Sequence, residues 1–248
     1  MPRNFVDSLL PSQESQFSTF LRTAFQLGFT EIWISNPTKE KKVQMTQSTF
    51  ASLINIHERL DIGLNNESKT QMTSLLSHKR REIPIIAVTC LSPDLTAWAA
   101  QDNRVDILKF PVFQTGKLMT RSIAKLMVKF EKCLEIQLCE LYSLPERQQI
   151  PALRQIRSAV KIAIRKNVPI LFSSGSTRPD QMRSPRELAS LGEMLLKNSI
   201  LSLNSISTIP RLLLERNLLK TSPDYIAPGV FRISSRLTSE LNRFDEEE

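Results

Sequence analysis

Val168-Pro169-Ile170-Leu171-Phe172-Ser173-Ser174-Gly175-Ser176-Thr177-Arg178, continued to Arg183-Ser184-Pro185-Arg186-Glu187-Leu188, sets the kind of fold to expect. The short apolar run, rich in Val, Ile and Phe and closed by Ser and Gly, reads as a buried strand. Ser184 then stands where a helix N-cap hydroxyl belongs, and Pro185 offers the preset φ of a first helical residue. Glu187 is the capping-box acid three positions on. A strand, a loop and a capped helix together make one parallel βα unit.

The same alternation extends toward the N-terminus. Phe5 to Leu10 reads as a first strand, and Phe17, Phe20, Leu21, Ala24 and Phe25 recur at the spacing of a core-facing helix. Gly28 stops that helix and Thr30 to Ser35 follows as a strand, while the polar run Asn36 to Lys42, with Lys39, Lys41 and Lys42, makes a loop. Ile83 to Val88 is a strand, Ser92-Pro93 opens a short helix, Val105 to Leu108 is a strand and Lys117 to Cys133 a helix. Leu134 to Leu141 supplies a further strand, Ala152 to Lys166 a helix and Ser205 to Arg216 a last helix. Seven or eight strands alternating with helices, without a Gly-rich dinucleotide turn, predict a closed or nearly closed α/β barrel. An open doubly wound sheet is the alternative. Residues 1–221 read as one barrel domain, and residues 222–248, with Pro223, Pro228-Gly229 and an acidic end, as an extension.

A chain of 248 residues with 41% hydrophobic content can bury one sizeable core. No apolar run approaches the length of a membrane span. Asp7 interrupts the N-terminus before a signal-like run can form, so a secretory signal is not expected and the cytoplasm is. Cys90, Cys133 and Cys139 leave one thiol unpaired in any disulfide scheme and lack C-x-x-C spacing, so they read as reduced core residues.

Charge carries more information. Lys and Arg number 33 against 25 acids, and the last four residues are all acidic, so the chain before them carries a net charge of +12. Between Lys109 and Arg186 there are 15 basic and 5 acidic residues. Lys117, Arg121, Lys125 and Lys129 recur at i, i+4, and Arg154, Arg157, Lys161 and Arg165 share one helical face. Like charges at i, i+4 repel by about 0.2–0.5 kcal/mol per pair, so a face that only needs water usually mixes signs. Two single-sign stripes ask for a polyanion. Arg178, Arg183 and Arg186 crowd a loop after a strand end and a capped helix start, where backbone N–H groups also favour anions. His78-Lys79-Arg80-Arg81 is a further basic patch.

Catalytic chemistry finds little support. His57 and His78 are 21 residues apart with no paired carboxylate motif, and the serine loop at Ser173 lacks phosphate-loop spacing. Asp7, Asp61 and Asp106 read as salt-bridge or capping residues.

Arg104-Val105-Asp106-Ile107-Leu108-Lys109-Phe110-Pro111 and, more strongly, the strand–SSG–RSPR–helix segment quoted above resemble the archaeal ribonuclease P protein component 3 family, related to the thirty-kilodalton subunit of the eukaryotic enzyme. The resemblance is clear over residues 104–216. It implies a single-domain, distorted TIM-barrel-like α/β fold, similar to metal-dependent phosphoesterases of the polymerase-and-histidinol-phosphatase type. It also implies a partnership with ribonuclease P RNA, a small partner protein subunit and other ribonuclease P proteins, with precursor tRNA engaged indirectly and no membrane involved. The histidine-rich ligands of those phosphoesterases are missing. Asp7-Ser8-Leu9 stands where they carry D-x-H-x-H, and Phe110 stands where many members of the family have histidine. No catalytic and no metal-binding residue is therefore expected, and Mg²⁺ would be held by RNA. The RNA-contact candidates are Lys79, Arg80, Arg81, Lys109, Arg121, Lys125, Arg157, Lys161, Arg178, Arg183 and Arg186. A divergent metal phosphoesterase on the same barrel is the alternative.

Overall fold

The computed structural model describes residues 4–10, 17–38, 52–63, 68–222, 224–227 and 230–232. Seven strands form one parallel sheet in sequence order: β1 (Val6–Leu9), β2 (Glu31–Ser35), β3 (Asn55–Ile62), β4 (Ile85–Thr89), β5 (Ile107–Lys109), β6 (Cys133–Gln137) and β7 (Ile170–Ser173). Beyond the end of β7 the chain closes onto the last residues of β1. Gly175 N donates to Ser8 O at 3.1 Å and Leu10 N donates to Ser176 O at 2.9 Å, making a single parallel bridge between Leu9 and Ser176. At the other end of this seam Val6 N donates instead to Ile206 O at 2.9 Å. The barrel is closed at the top of its seam and wedged at the bottom, a distorted version of the predicted architecture.

Helices α1 (Phe17–Leu27), α2 (Lys69–Lys79), α3 (Pro93–Gln101), α4 (Thr115–Leu118), α5 (Arg121–Lys129), α6 (Leu138–Tyr142), α7 (Glu146–Arg165), α8 (Pro185–Leu196), α9 (Ser199–Ser205) and α10 (Thr208–Thr221) follow the strands. Phe17, Phe20, Leu21 and Ala24 of α1 are fully buried, as the helical spacing required, but Phe25, expected on the same core-facing stripe, is 45% exposed. Ser184 Oγ accepts from Glu187 N and Ser184 N donates to Glu187 Oε2, so the capping box at α8 forms as expected. Leu213 and Leu214 of α10 plug the lower end of the barrel against Val6, Trp33, Ile107 and Leu171. Trp33 is fully buried with its Nε1 donating to Glu31 Oε1 at 2.8 Å. Loss of a ring so placed costs about 3–5 kcal/mol.

Four sequence expectations need correction. The helix expected over 117–133 is two helices, because Thr120 is extended and its hydroxyl caps Ile123 N at 3.2 Å. The strand expected over 134–141 ends at Gln137, where Cys139 N donates to Ser174 O at 2.8 Å and α6 begins. The helix expected over 205–216 is split at Ile206, whose carbonyl is taken by β1. Finally, β3, which carries His57, has no counterpart among the expected strands. Lys39, Lys41 and Lys42 and most of the 222–248 extension lie outside the described residues. Of that extension, β8 (Tyr225–Ala227) and β9 (Val230–Phe231) form a small antiparallel pair.

Candidate nucleic-acid interface

The inward face of the barrel's C-terminal half is polar. Arg59 on β3 is fully buried, and its Nε and Nη2 donate to Asp61 Oδ2 and Oδ1, both at 3.0 Å. Its Nη1 donates to Glu135 Oε1 at 2.8 Å and Ser8 Oγ at 2.6 Å, and Nη2 also reaches Glu135 Oε2. Lys109 Nζ lies 2.5 Å from Asp61 Oδ1, and Ser173 Oγ donates to Glu135 at 2.7 Å. Burial alone would raise the Asp61 pKa, but Arg59 and Lys109 outweigh it and hold the carboxyl well below its ordinary range. Two cations thus neutralise two carboxylates in the space where a barrel enzyme would gather its reactive groups.

This donor set does not fit a hydrolytic metal centre. Asp61 and Glu135 have their oxygens committed to Arg59 and Lys109, and no three His, Cys, Asp or Glu residues among the described ones are arranged to hold an ion. His57 sits half-buried on β3 and His78 is exposed on α2, and neither belongs to a group of potential metal ligands among the described residues. Asp7 turns away from the barrel axis into the seam, accepting from Ser8 N at 2.8 Å, Ser174 N at 2.7 Å and Ser174 Oγ at 2.6 Å. Burial pushes its pKa up to about 7 against those three hydrogen bonds. Asp106 receives both Nη groups of Arg80, at 2.6 and 3.2 Å, together with Ile86 N. Asp61 and Asp106 form the salt bridges the sequence suggested, whereas Asp7 instead ties the seam through Ser8 and Ser174.

The outer wall is different. α5 and α7 follow the neighbouring strands β5 and β6, so the two basic stripes lie on adjacent helices. Arg121, Lys125 and Lys129 on α5 and Arg154, Arg157, Lys161 and Arg165 on α7 are all exposed. Lys117 is exposed on α4, a separate turn lying flush on α7, where a Cβ at Gly116 would stand 3.2 Å from Gln155 O. α5 carries no acid, and α7 carries only Glu146, at its first residue.

The remaining candidates divide. Arg81 and Arg186 are exposed, and Lys79 is a surface residue paired with Glu82 at 2.7 Å. Two are corrections. Lys109 is buried inside the barrel, and Arg80 is held by Asp106, so neither presents a free charge. Arg178 pairs with Asp180 at 2.8 Å on the surface. Arg183 is half-buried, donating from Nη1 to Met182 O at 2.9 Å and Asp180 O at 3.2 Å, with its guanidinium carbon 5.3 Å from the centre of the Tyr142 ring. The helix start expected to bind an anion is largely satisfied by the protein. Pro185 has no N–H, Ser184 N is taken by Glu187, and Glu187 N is taken by Ser184. Sequence reasoning missed Arg59 and Tyr142. The period-2 run Ile56, Glu58, Leu60, Ile62 was the available signal for the first; Tyr142 offered none.

Residues 4–222 match the family model described as RNase P subunit p30. Ribonuclease P protein component 3 of Methanosarcina barkeri is 22% identical over 227 residues, covering 92% of this chain and 93% of that one. The protein of the same name from Halobacterium salinarum is 25% identical over 157 residues, covering 63% of this chain and 67% of that one. A chain from a cryo-EM structure of archaeal ribonuclease P with mature tRNA superposes with a TM-score of 0.75 at 14% identity, covering 89% of this chain and 94% of that one. That likeness establishes the shared fold.

Proposed function

The chain belongs to the RNase P subunit p30 family, and from that premise we propose that it is a cytoplasmic protein subunit of ribonuclease P that binds the catalytic RNA and supports removal of the 5′ leader from precursor tRNA. The observation that carries this reading is the wall formed by α5 and α7, which exposes seven aligned Lys and Arg side chains with a single acid at its edge. A catalytic RNA must bring its own phosphates close together, and their repulsion is long-ranged and screened by salt. A rigid barrel presenting fixed cations releases counterions from that RNA and favours its compact form. Mg²⁺, on this reading, is bound by RNA phosphates and not by the protein, whose interior carboxylates are already neutralised. Other ribonuclease P proteins, including a small partner subunit, share the assembly. Titrating the isolated chain against ribonuclease P RNA over a range of salt tests the reading. Affinity that falls steeply and linearly with log salt supports it; affinity that is absent or independent of salt refutes it.

A further inference from the structure

We infer that Tyr142 is a positioning residue that presets Arg183 as a fork for one RNA phosphate, an inference that rests on the RNA-binding reading above. α6 and the 173–184 segment leave neighbouring strands, β6 and β7, at the C-terminal end of the barrel, and Cys139 N to Ser174 O at 2.8 Å ties them together. This juxtaposition brings the ring of Tyr142 against the guanidinium of Arg183, centroid to carbon 5.3 Å. Two further anchors act in the guanidinium itself. Nη1 donates to Met182 O and to Asp180 O, so one end of the fork is fastened to backbone. Among the described residues the Nε–Nη2 edge has no hydrogen-bond partner, and that edge carries the two parallel N–H groups that grip a phosphate or carboxylate bidentately.

The other arginines of the loop contrast with it. Arg178 spends both its Nε and Nη2 on Asp180, at 3.1 and 2.8 Å. Arg186 is exposed and has no comparable side-chain anchor among the described residues, and a mobile Arg loses its rotamer freedom on binding. At Arg183 much of that loss is already incurred in folding, because the ring and two carbonyls restrain the planar group before any ligand arrives. The phenol oxygen of Tyr142 is buried without a hydrogen-bond partner among the described residues, so the ring, and not the hydroxyl, does the restraining. Arg is required in this position because a lysine ammonium can neither lie flat on the ring nor present two parallel donors.

The test is the affinity of the intact chain for a ribonuclease P RNA transcript, for the wild type and Arg183→Ala, Arg183→Lys, Tyr142→Leu, Tyr142→Phe and the Arg183→Ala/Tyr142→Leu double variant. Arg183→Ala and Tyr142→Leu should each weaken binding by about tenfold, the double variant no more than Arg183→Ala alone, and Arg183→Lys nearly as much as Arg183→Ala. Tyr142→Phe should bind as the wild type does. Wild-type affinity for Tyr142→Leu, a loss in Tyr142→Phe equal to that in Tyr142→Leu, or additive losses in the double variant would overturn the inference. If Tyr142→Leu melts early, Arg183→Lys decides: undiminished affinity in that folded variant rejects the fork. The Arg121/Lys125/Arg157/Lys161 quadruple Ala variant, measured beside them, separates the two levels. If it alone loses affinity, the fork is wrong and RNA binding stands; if no variant loses affinity, both are wrong.

Discussion

Arg59 on β3 reaches across the barrel to Glu135 on β6, 76 positions later, with Nη1 2.8 Å from Oε1 and both side chains fully buried. The same guanidinium holds Asp61, so one residue joins two carboxylates that would otherwise repel where their side chains are closed off from bulk solvent. Removing one partner of a buried ion cluster leaves an uncompensated charge and typically costs about 3–5 kcal/mol. Arg59→Met should therefore lower the free energy of unfolding in urea by that order. Stability equal to the wild type would show that the cluster contributes nothing to the fold.

Asp7 gives the protein a pH dependence of the opposite sense to that of a salt-bridged acid. Burial raises its pKa in the folded state to about 7, whereas an unfolded Asp titrates near about 3.9. Between these values the folded chain holds a proton that the unfolded chain has released, so stability falls as pH rises from about 4 to about 7 and is level above. Asp61, held low by Arg59 and Lys109, acts only below about pH 4, where its contribution is lost as pH falls. Asp7→Asn should flatten the decline between pH 4 and 7. An unchanged slope in that window would place the titration elsewhere.

What the sequence made legible follows from where its patterns had one physical meaning. Ser184, Pro185 and Glu187 form the helix start they spelled out, because a capping box depends only on near neighbours. The βα alternation gave the barrel. β3 escaped because its inward residues are His57, Arg59 and Asp61, so the face turned to the interior is the charged one. Lys109 misled for the same reason: its partner Asp61 lies 48 positions away, and nothing local marks it as buried. The loop arginines were read as a group, but the Asp180 carboxylate, which takes both Nε and Nη2 of Arg178, was not weighed.

The basic wall makes a quantitative expectation. Replacing Arg121, Lys125, Arg157 and Lys161 with Ala should weaken RNA binding across sequences and reduce the slope of log affinity against log salt by about 0.7–0.9 for each phosphate no longer neutralised. All four side chains are exposed, so melting temperature should hardly move. An unchanged slope would assign the wall to water or to a protein.

Thiol chemistry offers an independent check of the core. Burial pushes the thiols of Cys90 and Cys133 each up to about 12, and Cys139 is buried as well. Thiolate is the reactive form. Native protein at pH 8 should resist alkylation at Cys90 and Cys133 and take up label at both only in denaturant. Rapid native labelling of Cys133 would mean that the barrel's lower end opens readily.

Omission from a reconstituted holoenzyme addresses the proposed subunit role itself. Ribonuclease P RNA is assembled with its full set of proteins or with all but this chain, and 5′-leader cleavage of precursor tRNA is followed as Mg²⁺ is lowered. The incomplete enzyme should cleave more slowly at low Mg²⁺ and recover as Mg²⁺ rises, while this chain without RNA should cleave nothing. Equal rates with and without the chain at every Mg²⁺ concentration, or metal-dependent cleavage by the repurified chain alone, would contradict that role.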